Sequence, residues 1–169
     1  NALKQMIKIP KLLRSLVALV TFRLGTHIDL DVENQRLKVR SWSQRCLRYI
    51  QYFGDEQVQS EHVNVEYGRV LSISICTAGG KGEEQDEEIY NGLKYISEFL
   101  RELHAGRYDW KPSFQPFPLL VRNTEEQIEE EGANEEIQAQ MNNNENEWSI
   151  RNWANCTKAA ILDNFIRRG

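Results

Sequence analysis

Apolar and polar positions change their rhythm several times along the chain, and each rhythm predicts an element. Pro10 suits the first turn of a helix, where its missing N–H would have no partner anyway. Beyond it, Leu12, Leu13, Leu16, Val17, Leu19 and Val20 surround a narrow stripe of Lys11, Arg14, Ala18 and Thr21. A helix so widely apolar belongs in a core, against a partner or on a membrane surface. Gly25 stops it.

The rhythm then shortens. His27-Ile28-Asp29-Leu30-Asp31-Val32 alternates strictly, Glu33-Asn34-Gln35 turns, and Leu37 and Val39 resume the alternation. That pattern predicts a half-buried hairpin. Ser41 can cap a following helix, in which Trp42, Cys46, Tyr49, Ile50 and Phe53 recur at helical spacing. A second cycle begins with His62-Val63-Asn64-Val65-Glu66-Tyr67, turns at Gly68 and returns as Val70-Leu71-Ser72-Ile73-Ser74-Ile75. Residues 86–104 follow as a helix with Ile89, Leu93, Ile96, Leu100 and Leu103 on one face, ended by Gly106. The two cycles resemble each other enough to suggest an internal ββα duplication.

From Gly106 the composition shifts. Tyr108, Trp110, Phe114 and Phe117 are interleaved with Pro112, Pro116 and Pro118, which reads as an extended connector. Leu119-Leu120-Val121 adds a short strand. Thr124 with Gln127 forms a capping-box pattern that opens an acidic helix toward Met141, with Gly132 as a break. After Asn142-Asn143-Asn144, residues 148–168 form a last amphipathic helix. The expected fold is therefore one α+β domain. Its parts are an N-terminal helix (1–24), a hairpin and helix core (25–105) with a mostly antiparallel sheet, an aromatic, Pro-rich connector (106–123) and C-terminal helices (124–169).

Composition narrows the function. The chain has 169 residues, 40% hydrophobic and 27% charged, with a formal net charge of −4. That is ample for a packed core and unlike a disordered or collagenous chain. No run approaches the roughly 18 apolar residues of a membrane span. Asn1-Ala2-Leu3 at the start, without Met, reads as a piece of a longer regulatory or viral protein. Cys46, Cys76 and Cys156 are odd in number and far apart, which argues against a disulfide framework or a cysteine zinc site and suggests an intracellular protein.

Candidate chemistry is sparse. Thr77-Ala78-Gly79-Gly80-Lys81-Gly82 sits where a phosphate loop would, but Gly82 stands where a P-loop needs Ser or Thr. A Cys76–His62 dyad has no visible activating group. Asp29 and Asp31 share a strand face but lack further ligands. No catalytic group, metal site or cofactor is expected, and a non-enzymatic interaction or scaffold module is the leading reading. Tyr108, Trp110, Phe114 and Phe117 are its candidate contacts, since aromatics concentrate at recognition surfaces.

Charge is lopsided: residues 1–50 hold ten Lys and Arg against three acids, whereas residues 81–147 hold seventeen acids against six bases. The acidic stretch would suit a partner protein with a basic surface. The alternative is RNA or DNA binding through the basic 36–48 region, in which Lys38, Arg40, Arg45 and Arg48 stand beside Trp42 and Tyr49.

Overall fold

A computed structural model of the chain describes residues 5, 9, 11–22, 30–76, 83–109, 111–142 and 148–166. Among them the structure is helical, with no sheet. Eight helices follow one another: α1 (Leu12–Thr21), α2 (Leu30–Phe53), α3 (Glu56–Asn64), α4 (Tyr67–Cys76), α5 (Glu83–Ala105), α6 (Pro118–Glu130), α7 (Ala133–Asn142) and α8 (Trp148–Ile166). The only described β-type pairing is an isolated antiparallel bridge between Arg107 and Phe114.

This overturns the α+β expectation. The described part of the first predicted hairpin lies in α2, and its first residues, with His27 and Asp29, fall outside the described residues. The reason is visible in what α2 buries. Arg40, Ser43, Gln44, Leu47, Ile50 and Gln51 form its inner face. Half-polar burial hides a helical period from any reading that equates buried with apolar.

The second hairpin fails for the opposite reason. Its first strand lies over α3 and the start of α4, and its second strand lies within α4. Nearly every residue of α4 is buried, from Tyr67 to Ile75. A helix enclosed on all sides has no face, so Val70 to Ile75 alternates without consequence. Its serines are accommodated locally: Ser72 Oγ donates to the Gly68 carbonyl at 2.9 Å. Gln44 of α2 donates to the Val70 carbonyl at 3.3 Å and to Ser74 Oγ. With no hairpin among the described residues, the expected ββα duplication is not borne out.

The short strand at 119–121 is also helix. Pro118 occupies the first turn of α6, and Thr124 lies inside it, donating to the Leu120 carbonyl at 2.8 Å rather than capping. Gly132, with φ +72°, separates α6 from α7.

The helix expected over 86–104 is α5, and its five named apolar residues are all buried. It packs against α8, α4 and α6, while α4 also touches α1, α3 and α7, so α4 and α5 form the centre. Thr157 of α8 donates to the Leu93 carbonyl of α5 at 2.8 Å. By contrast α2 packs chiefly on α1 and α3 and lies at the edge.

Candidate interaction face

The side chains of α2 and α5 meet through a polar seam. Arg40 pairs with Glu88, Arg48 with Glu98, and Arg45 with Glu87 at 2.8 Å. Gln51 donates to Glu102 at 2.9 Å. Arg48 also lies over the rings of Tyr52 and Tyr95, at 4.9 and 5.3 Å. The contacts of Arg40, Arg48 and Gln51 climb both helices in the same order, so the two helices run in the same sense.

This seam explains part of the lopsided charge: N-terminal bases neutralise acids of α5 within the fold. It also divides the proposed nucleic-acid residues. Arg40 is buried and Arg48 nearly so, both engaged with carboxylates. Arg45 is half exposed beside Glu87, and Lys38 is exposed. The four cations do not share one accessible surface.

Below the seam sits a buried cluster. Arg107 is 3% exposed and donates from Nη1 to the Gly54 carbonyl at 2.9 Å. Its Nη2 pairs with Glu102, whose other oxygen lies 3.5 Å from Lys111 Nζ. The guanidinium stacks on Phe114 at 4.7 Å, and Phe114 stacks on Phe117 at 5.4 Å. Paired backbone bonds join Arg107 and Phe114 at 2.8 and 3.0 Å. Gly106 permits this closure: its φ is +76°, and a Cβ there would stand 2.6 Å from the Phe114 carbonyl oxygen.

The aromatic connector is therefore partly a strap. Phe114 is buried, Phe117 half-buried against the core, and Tyr108 exposed with its hydroxyl on Gln115 at 3.2 Å. Trp110 lies outside the described residues.

The catalytic candidates stay apart. His62 is fully buried, with Nδ1 2.9 Å from the Val58 carbonyl oxygen and Nε2 3.0 Å from that of Leu47. Burial pushes its pKa down to about 4, against the two carbonyls that favour the charged ring. Cys76 meets the Glu131 carbonyl at 3.5 Å. Its thiol pKa is raised by burial and by Glu136, Glu131 and Glu135. No dyad forms, because both ring nitrogens face carbonyls of other residues. The glycine loop and Asp29 lie outside the described residues. Among the described residues no cluster of three His, Cys, Asp or Glu could hold a metal, and no helix is long and apolar enough to cross a membrane.

What sequence reasoning missed is the opposite side of α2. Trp42, Cys46, Tyr49 and Phe53 do recur at helical spacing, but they mark the outward side rather than the core. Trp42 is 64% and Tyr49 65% exposed, with Val39 at 45% and Val32 at 43%. Cys46 is exposed and Phe53 half-buried. Arg45 lies over the Trp42 indole at 5.3 Å, and Tyr49 meets Phe53 at 5.2 Å. The available signal was the crowd of polar residues at 40, 43, 44 and 51, which could have shown that the aromatics were not needed for the core.

No family model, curated protein or solved structure matches the chain.

Proposed function

We propose that the protein is a non-enzymatic interaction module that docks a partner protein on the outward face of α2. The observation that carries the reading is the row of exposed Val32, Val39, Trp42 and Tyr49 along one side of a helix whose other side holds the fold. Single exposed apolar residues are ordinary, but a contiguous row rich in Trp and Tyr suits a binding surface. Polar fixation supports it further: ion pairs with α5 hold α2 in place without using its outward aromatics, so the surface is rigid before a partner arrives. The expectation for Tyr108 to Phe117 narrows accordingly. Phe114 and Phe117 serve the strap, and Tyr108 stays accessible.

The double variant Trp42→Ser/Tyr49→Ser tests this. Its unfolding free energy in urea should stay within about 1 kcal/mol of the parent, since neither ring is buried. Immobilised parent protein should retain a partner from native extract that the folded double variant releases. Equal retention by both would refute the face, and a loss of several kcal/mol would place the two rings in the fold.

A further inference from the structure

The row on α2 has a period. Val32, Gln35, Val39, Trp42, Cys46, Tyr49 and Phe53 are separated by three and four residues alternately, which is an a/d heptad sustained over three repeats. The seam spans roughly 32 Å of helix at 1.5 Å per residue. On a straight helix a 3.5-residue repeat drifts by only about 20° per heptad, so a second helix crossing at a shallow angle can follow it throughout.

The flanks say which helix. One flank turns toward the rest of the protein: Arg36 donates to the Phe22 carbonyl at the end of α1 at 3.3 Å, and Ser43 and Ile50 are buried. The other flank is open. Asp31, Lys38 and Arg45, the residues just before Val32, Val39 and Cys46, are exposed along it, and it closes at half-buried Tyr52, which lies under Arg48 and Lys111. Arg45 already has Glu87 beside it, but both side chains are about half exposed, and such pairs are weak enough to be shared with an incoming carboxylate.

A second copy of this chain fits poorly. Antiparallel pairing of two α2 seams sets open flank against open flank and so brings Lys38 and Arg45 toward Arg45 and Lys38. Parallel pairing sets the open flank against the inward flank, where Ser43 and Ile50 offer no opposite charge. Resting on the interaction reading above, we infer that the occupant is an amphipathic α-helix of another protein. It carries apolar residues at heptad spacing and Glu or Asp on the flank that faces Lys38 and Arg45.

Fluorescence anisotropy with two labelled designed peptides, each roughly four heptads long, tests the inference. Both carry the same Ile and Leu seam; one has Glu and the other Lys at every flanking position. The Glu peptide should bind saturably and about tenfold more tightly than the Lys peptide. Trp42→Ser/Tyr49→Ser should abolish binding, and Lys38→Glu/Arg45→Glu should reverse the preference.

No saturable binding of either peptide, or binding without charge preference, overturns the acidic-helix occupant. So does a homodimer in sedimentation that the Trp42→Ser/Tyr49→Ser variant dissolves, although the outward face itself would then stand. Salt-sensitive binding of a labelled single-stranded oligonucleotide that the same variant abolishes also overturns it, in favour of nucleic acid. Failure of the face itself is distinguishable, because it appears as instability of the serine variant or as equal retention of the partner by parent and serine variant.

Discussion

Replacing Arg107 with methionine is expected to remove about 3–5 kcal/mol of folding stability, a large part of what a domain of this size possesses. Arg107 reaches the Gly54 carbonyl, the Gln51 carbonyl and the Glu102 carboxylate with one guanidinium while its plane covers Phe114. Methionine keeps most of the apolar contact. It leaves a largely buried carboxylate with the Gln51 amide at 2.9 Å and the Lys111 ammonium at 3.5 Å but no guanidinium, and strips the Gly54 carbonyl of its guanidinium donor. Arg107→Lys should recover little, since an ammonium cannot reproduce the fork. Adding Glu102→Gln to the methionine variant should restore part of the loss by removing the stranded charge. Urea unfolding of the four proteins measures this. A loss below about 1 kcal/mol for Arg107→Met would mean that the cluster does not hold the strap.

The second large effect is acid sensitivity centred on His62. Its folded pKa of about 4 lies below the ordinary 6.5, so the unfolded chain binds the extra proton first as pH falls. Stability from this group is complete above pH 6.5 and drains away between pH 6.5 and 4. The total is on the order of 3 kcal/mol, from about 1.4 kcal/mol per pKa unit. The imidazole lies between carbonyls of α2 and α3 and meets Tyr67 edge-on at 4.9 Å, so it has no route to solvent that would relieve the charge. Unfolding in urea at pH 7, 6 and 5 should show a falling midpoint for the parent and a flatter profile for His62→Gln, which starts lower at pH 7. Parallel profiles would assign the acid sensitivity to other groups.

Legibility varied with how conventionally each element is buried. Helix α5 was readable because Ile89, Leu93, Ile96, Leu100 and Leu103 follow the helical period and all are buried. Helix α8 was readable as an amphipathic helix, with Ile150, Ala154, Thr157 and Ile161 buried and Leu162 43% exposed. Helix α4 was misread because burial on every side removes the asymmetry on which period-based reading depends. In α2 the helical spacing of Trp42, Cys46, Tyr49, Ile50 and Phe53 does not separate the two sides of the helix: Trp42 and Tyr49 are exposed and Ile50 is buried. The core side is built from Leu47 together with Arg40, Gln44 and Gln51, whose polar ends find partners on α4 and α5. Pairing between elements far apart in sequence, such as Arg48 with Glu98, decides which side of a helix is inside, and local pattern does not record it.

The lopsided charge is only partly neutralised within the fold. The N-terminal bases pair with α5, while Glu126, Glu129, Glu130 and Glu135 remain exposed on α6 and α7.

Photo-crosslinking from position 42 tests most directly whether α2 holds the fold with one side and a partner with the other. Trp42 is replaced by benzoylphenylalanine, with a control carrying the same probe in place of Arg122, whose side chain is 64% exposed on α6. Irradiation in native extract should give a discrete adduct from position 42 and none of the same mass from position 122. No adduct at 42, or identical adducts from both positions, would contradict a partner on the outward face of α2.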